Sequence, residues 1–365
     1  MSKEVPPENN EFEVSIFGPG RGECIVLHLG SNRWCVIDSY QNRVTRRSVA
    51  TEYLESFGNG ALDGVELIVA THWHDDHVRG LRDLLLACKN AEFCCSSALR
   101  CPEFVTLVQT AIDSGQEQSG VTEMASILET LQGRQGHLPK RLVAPKLALQ
   151  NRTLLKLQRG DPNLDVSISS LSPADGTLTQ AIAEFARWLP RPGEKAEPIP
   201  HQSGNHTSVV LWAELGGRRV LLGADLEHTG HAGEGWQAVL DSHTDLRKAE
   251  IYKVAHHGST NGDHDDIWRK LLISQATAVI TPYSSSNLPG TENLARIREK
   301  TSELYCTATG TRRAPRRENS VERELKKYSR RVVESDSGQV RLRWLSAEPA
   351  VPPRVELFGK AFKVQ

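Results

Sequence analysis

The residues best suited to chemistry sit in one short string, Thr71-His72-Trp73-His74-Asp75-Asp76-His77. Imidazole nitrogens and carboxylate oxygens bind zinc-type ions at about 2 Å, so such ligands must converge from a compact loop. His72 and His74, two positions apart, project to the same side of an extended segment. Asp76 and His77 follow as the chain turns into a helix and can swing toward a second ion. The string comes directly after the apolar run at 65–70, the pattern of a short buried strand. Four ligand-type residues in six positions at the end of a buried strand are hard to account for as packing.

Three further candidates lie far along the chain, each at the edge of an apolar run. Asn205-His206-Thr207-Ser208 precedes one, Asp225 follows Leu221-Leu222-Gly223-Ala224, and His256-His257-Gly258-Ser259 follows the run at 250–255. A lone histidine in such a place is ordinarily structural. Three such groups at three predicted strand ends, where a sheet presents loops to a shared edge, favour ligands.

The elements that must position them read as a mixed α/β sandwich, a recurring scheme of strand, short loop bearing His or Asp, then helix. Alternating and apolar runs predict strands at 12–17, 24–29 and 33–38, broken by Gly18-Pro19-Gly20-Arg21-Gly22 and by Gly30-Ser31-Asn32. Residues 46–57 predict a helix, and another begins near Val78 with Leu81, Leu84 and Leu85 on one face. Residues 96–160 read as a mostly helical insert. Strands resume at 166–171, and Gly216-Gly217 between 208–215 and 219–222 predicts a hairpin. A further strand spans 276–281. A basic helical segment near 318–331 and strands at 339–344 and 354–358 form a C-terminal extension, 318–365, of a single 1–365 domain.

With 365 residues, 38% hydrophobic, 24% charged and a net charge of −1, the composition is globular and gives no global push toward nucleic acid or membrane. The seven cysteines are odd in number and lack C-x-x-C pairs, as expected of reduced packing thiols. No apolar run approaches about 18 residues, and the polar opening has no signal-peptide core. The expectation is a cytoplasmic protein with no membrane association.

The order His72-x-His74-x-Asp76-His77, then Asp225, then His257 resembles the metallo-β-lactamase superfamily, as does the early strand ending in Asp38. The resemblance implies an αββα four-layer sandwich. Within the superfamily the chain is most similar to the metallo-hydrolase domain of bacterial DNA-uptake channel proteins and to stand-alone soluble relatives, some in antiviral defence loci. The residues that carry this likeness are Asn205-x-x-Ser208-Val209-Val210-Leu211, Leu221-Leu222-Gly223-Ala224-Asp225 and Lys253-Val254-Ala255-His256-His257-Gly258-Ser259. It covers roughly residues 12–285.

Carried over residue by residue, the resemblance implies that His72 and His74 hold a first metal with a third ligand from the 205–206 loop, either His206 or Asn205. Asp76, His77 and His257 would hold a second, with Asp225 bridging and with Asp76 and Asp225 as the catalytic carboxylates. His257 is preferred to His256 because the ligand usually precedes glycine. Asp38, Asn205, Ser208, Lys253 and His256 would support the ligands. Two zinc ions are implied, with manganese as an alternative for an Asp-rich site.

The function implied is a binuclear metal-dependent hydrolase, read as a phosphodiesterase or nuclease acting on a phosphodiester, with nucleic acid as one such substrate. The basic tract with Arg312, Arg313, Arg316, Arg317, Arg323, Lys326, Lys327, Arg330 and Arg331 fits that reading, although interleaved acids also suit a solvated helix. His228, His231 and Lys253 are candidate proton donors. Two alternatives remain open. One is hydrolysis of a small ester, thioester or lactone in a pocket lined by Trp73, Trp212 and Trp236. The other is a metal-binding subunit of a multi-protein assembly, activated by a protein partner that docks on the helical insert. No substrate-binding residue emerges.

Overall fold

The computed structural model describes residues 5–58, 60–114, 119–134, 139–191, 194, 204–243, 247–309, 337–346, 348 and 351–365. The basic segment expected to be helical near 318–331 lies outside them. Sixteen strands among the described residues form two eight-stranded mixed sheets. The first runs, in spatial order, β15 (Arg354–Gly359), β14 (Gly338–Leu345), β1 (Glu11–Gly18), β2 (Cys24–His28), β3 (Trp34–Ile37), β4 (Val65–Ala70), β5 (Glu92–Ser96) and β6 (Lys146–Ala148). The second runs β16 (Phe362–Lys363), β13 (Leu304–Cys306), β12 (Leu272–Ile280), β11 (Ala249–Lys253), β10 (Arg218–Leu222), β9 (Leu211–Leu215), β8 (Val166–Ser170) and β7 (Arg152–Leu157).

Alternation along the strands splits the apolar residues between three layers. Ile25 and Leu27 of β2 pack with Val220, Leu222 and Ile251 of the other sheet, forming the seam between the sheets. Cys24 and Val26 face the opposite way, beneath α1 (Val49–Phe57), α3 (Leu81–Ala87), α4 (Pro102–Asp113), α5 (Ser119–Gly133) and α7 (Asp175–Trp188). On the far face of the second sheet, Leu221 and Tyr252 pack under α8 (Gly235–Ser242) and α9 (Thr291–Arg298). The layer order is therefore helix, sheet, sheet, helix. Two short helices complete the described set, α2 (Asp75–Val78) and α6 (Lys140–Val143).

The Gly216-Gly217 hairpin joins β9 and β10 as expected, with both glycines at positive φ. A Cβ on Gly216 would meet the Phe12 ring at 2.1 Å, so the turn also seals one sheet onto the other. Two expectations about the periphery need correction. The segment at 96–160 is helical only as far as Val143, and β6 and β7 then supply an edge strand to each sheet. The C-terminal strands are not an appendage: β14 pairs with β1 over eight residues, from Glu11 opposite Leu345 to Gly18 opposite Gly338.

Strands β3 and β4 run parallel, as do β10, β11 and β12. Their carboxyl ends lie at one edge of the sandwich, the usual place for a site in an α/β sheet.

Candidate metal centre

Each strand end delivers one part of the site. Asp38 follows β3 and the Thr71–His77 string follows β4. Asp225 follows β10, His256 and His257 follow β11, and Thr281 follows β12. Backbone conformation there is forced: Asp38, Ala224, His256 and His257 all have positive φ, which is costly for residues with a Cβ and concentrates where a side chain must be aimed. Arg296 of α9 braces the His256–His257 turn by donating to the carbonyl oxygens of Gly258 (3.1 Å) and Asp263 (2.9 Å) and to the Asp263 carboxylate (2.6 Å).

The donors of Asp76, His77, Asp225 and His257 lie within 4.8 Å of one another. Asp225 Oδ2 stands 3.4 Å from His77 Nε2 and 3.3 Å from His257 Nε2. Asp76 Oδ2 stands 3.7 and 3.6 Å from the same two nitrogens. Two donors each about 2 Å from one ion at a tetrahedral angle are about 3.3 Å apart, so these spacings are those of a coordination shell.

Hydrogen bonds set which ring nitrogen is offered. His77 Nδ1 donates to Asp38 Oδ2 at 2.7 Å, and His257 Nδ1 donates to the Thr281 carbonyl at 2.7 Å. Each Nε2 therefore turns its lone pair inward, the arrangement by which a partner carboxylate or carbonyl orients a ligand histidine. Asp38 also accepts from Thr71, at 2.7 Å from its backbone N–H and 2.6 Å from its hydroxyl. Thr71 Oγ1 lies 3.0 Å from His72 Nδ1, which leaves His72 Nε2 pointing at His74 Nδ1, 3.2 Å away. The His72 and His77 rings are 4.2 Å apart between centroids, so the two histidine sets are adjacent.

A divalent ion fits this donor set. His77 Nε2, His257 Nε2 and Asp225 Oδ1 are buried with no hydrogen-bond partner among the described residues, a costly state unless a ligand completes it. The electrostatics ask for positive charge. Burial alone would lower the pKa of His77 and His257, yet Asp225 and Asp76 outweigh it, raising His77 and holding His257 at about 9. Burial alone would raise Asp225 and Asp76, yet the two histidines pull both well below the usual carboxylate range. His72, buried beside His77 and His74, is pushed strongly toward the neutral form that binds metal.

The structure disperses other candidates. His206 Nε2, buried and without a hydrogen bond among the described residues, stands 3.5 Å from Glu184 Oε2 of α7 and lies outside the four-donor group. Its neighbour Asn205 turns the other way, donating to Glu227 at 2.9 Å with His256 Nε2 3.2 Å off, which leaves its buried Oδ1 without a hydrogen bond among the described residues. His256, with Nδ1 3.3 Å from Glu227, stands behind Asn205 and outside the four-donor group. Ser208 is buried and its carbonyl accepts from Ser172 at 2.6 Å. Lys253, fully buried, is paired with Glu23 and donates to the Ala224 carbonyl at 3.1 Å, so it supports the Asp225 turn and is enclosed away from any leaving group. Trp73, Trp212 and Trp236 are core residues, not the walls of a pocket.

Sequence reasoning missed Glu23, Glu227 and Thr281. Glu23 accepts from Thr281 Oγ1 at 2.6 Å and its backbone N–H donates to the Asp76 carbonyl at 2.9 Å. Its place after a glycine-rich break was a usable signal. Thr281 carried none, because a carbonyl that orients a ligand leaves no spacing pattern.

This layer order, with histidine and aspartate donors gathered at the carboxyl ends of its strands, is the metallo-β-lactamase fold. A 145-residue stretch, 40% of the chain, is 31% identical to ComE operon protein 3 of Bacillus subtilis (strain 168), and the match spans 17% of that protein's length. Among solved structures, the metallo-β-lactamase fold protein YhfI from Bacillus subtilis aligns over 80% of this chain and 95% of its own, at 12% identity and TM-score 0.36. The metallo-β-lactamase SMB-1 bound to 2-mercaptoethanesulfonate aligns over 68% and 81%, at 12% identity and TM-score 0.33. No family model matches the chain. Among the described residues no helix is long and apolar enough to cross a membrane.

Proposed function

We propose that the chain is a metal-dependent hydrolase that cleaves phosphodiesters. The observation that carries this is the group of inward-facing, unsatisfied donors on His77, His257 and Asp225 beside the His72–His74 pair. Bound divalent ions would supply Lewis acidity toward a phosphoryl oxygen and lower the pKa of water. The chain's residues do the rest. His77 and His257, fixed by Asp38 and the Thr281 carbonyl, would present their Nε2 atoms to the ion, giving up the proton that Asp225 and Asp76 favour there. Asp76 is the more exposed of the two ligand carboxylates, so it can accept a hydrogen bond from the attacking water and orient it.

Charge balance supports an anionic substrate. The Glu23–Lys253 pair cancels, the histidines are neutral ligands, and Asp38, Asp76 and Asp225 contribute three negative charges. Two dications would exceed them by one, a charge that a bound anion such as a phosphodiester, or the hydroxide formed from bound water, would cancel. Two ions, zinc or manganese, and nucleic acid as the natural phosphodiester belong to this proposal.

The test is hydrolysis of bis-p-nitrophenyl phosphate and of single-stranded DNA and RNA by metal-loaded protein. Turnover should fall by about 100-fold or more in Asp76→Ala, and nucleic-acid cleavage should weaken steeply with salt. Equal turnover in wild type and Asp76→Ala would remove the assignment.

A further inference from the structure

The loop Gly18-Pro19-Gly20-Arg21-Gly22 has no part in holding the metal donors, yet it ends at them. Glu23, one residue beyond it, donates its backbone N–H to the Asp76 carbonyl at 2.9 Å. Gly22, at φ +100°, is packed so closely that an added Cβ would stand 2.7 Å from Tyr40 Cβ and 3.2 Å from the Asp76 carbonyl oxygen. The loop is thus pressed against the backbone of a ligand residue. Arg21, between two glycines of positive φ, is exposed and forms no ion pair among the described residues.

A second loop faces it. Tyr283 and Leu288 exchange backbone hydrogen bonds at 2.7 and 3.0 Å, closing the loop that follows β12, and Ser284 N–H donates to the Gly20 carbonyl at 2.8 Å. The two loops are therefore tied to each other. Tyr283 is half-buried, with its ring stacked on His257 at 5.1 Å between centroids and 18° between planes. The phenol therefore stands against a ligand histidine, on the loop tied to the residue before Arg21.

A guanidinium with no ion pair among the described residues and a phenol stacked on a ligand histidine form a recognisable pair of phosphoryl-binding groups. A guanidinium matches two phosphate oxygens with a fork of parallel N–H donors, and a phenol adds one O–H donor whose direction is set by its ring. We infer that Arg21 and Tyr283 bind the non-bridging oxygens of the phosphoryl group presented to the Asp76–His77–Asp225–His257 centre. The ligand class is a phosphate mono- or diester, and the inference deepens the phosphodiesterase reading by naming its substrate-binding residues. The tie between Gly20 and Ser284 fixes the two loop backbones to each other, so binding has chiefly the Arg21 side chain left to order.

The test measures binding and turnover separately. Metal-loaded wild type, Arg21→Ala, Arg21→Lys and Tyr283→Phe are titrated with inorganic phosphate by calorimetry and assayed on bis-p-nitrophenyl phosphate, with metal content and Tm recorded for each. Arg21→Ala is expected to weaken phosphate binding by about tenfold or more and to raise KM by a similar factor. Arg21→Lys should recover part of the loss, and Tyr283→Phe should show a smaller one, all at unchanged metal content. Phosphate bound equally by wild type and both Arg21 variants, or not bound by wild type, overturns the inference even if the diester is cleaved. Binding that is lost in Arg21→Ala while wild type cleaves no diester upholds this site and removes the hydrolytic reading instead.

Discussion

Glu13 and Asp225 are both carboxylates buried in the same sandwich, and they have opposite fates. Glu13 lies on β1 beneath α1, where Oε1 accepts from Ser15 (2.6 Å) and Tyr53 (2.7 Å) and Oε2 accepts from Arg343 (2.7 Å). Gln339 then donates to Ser15 at 2.9 Å, and Arg341 to Glu356 at 2.9 Å. Both oxygens of that carboxylate are taken. Asp225 sits at a strand end with Oδ1 lacking a hydrogen bond, 4.0 Å from Lys253, and with Oδ2 facing two imidazole nitrogens that also lack one. A completed polar network in a core is a structural fastening. An incomplete one at the carboxyl edge of two sheets is a receptacle, because the fold would not retain so many costly groups without a ligand to complete them.

If Glu13 belongs to a fastening, breaking it should cost the fold and spare the site. Arg343→Met leaves a buried carboxylate without its cation and should destabilise by about 3–5 kcal/mol in urea unfolding at pH 7. Metal affinity should stay as in wild type. A loss of stability below about 1 kcal/mol would erase the distinction between the two clusters.

The next effect comes from His28, on the fastening side, whose Nδ1 donates to the Glu11 carbonyl at 2.7 Å. Burial first, then Arg343 and Arg159, lower its pKa from 6.5 to about 4. The unfolded chain thus takes up a proton that the folded one refuses. The contribution is fully present above pH 6.5 and is lost as the pH falls toward 4, amounting to about 3 kcal/mol. Urea unfolding of metal-free protein at pH 7 and 4.5, wild type against His28→Gln, should show a shallower pH dependence in the variant. Parallel pH profiles would show that His28 is not the group responsible.

Completing the receptacle should stabilise it. Zinc or manganese at a hundred times its Kd is expected to add about 2.7 kcal/mol, seen as a rise in Tm that a chelator reverses. The smallest effect sharpens the role of the carboxylate behind the ligand. Asp38→Asn disturbs the His77 Nδ1 contact without removing a metal donor, and should weaken metal binding by about 10- to 100-fold. A loss as complete as that of a ligand deletion would make Asp38 a ligand itself.

The legible part of this molecule was its directional, periodic part. Alternation along 12–17 and the apolar run at 24–29 marked strands, the Gly216-Gly217 pair marked its hairpin, and His72 to His77 stood out because four ligand-type residues share six positions. What stayed hidden depends on contacts between distant segments. Pairing of β14 with β1 joins residues more than three hundred positions apart, and no local pattern at 338–345 names its partner. The same holds for the approach of His206 Nε2, on the Asn205–Thr207 turn, to Glu184 of α7, which no pattern near 206 announces. Thr281 acts through its carbonyl, which every residue possesses.

Metal titration by calorimetry, with ion content read by elemental analysis, addresses the receptacle most directly. Wild type and Arg343→Met should bind zinc or manganese alike, while Asp225→Ala and His257→Ala should lose it by a hundredfold or so. Equal ion content and affinity in all four proteins would mean that the gathered donors at the strand ends hold no metal.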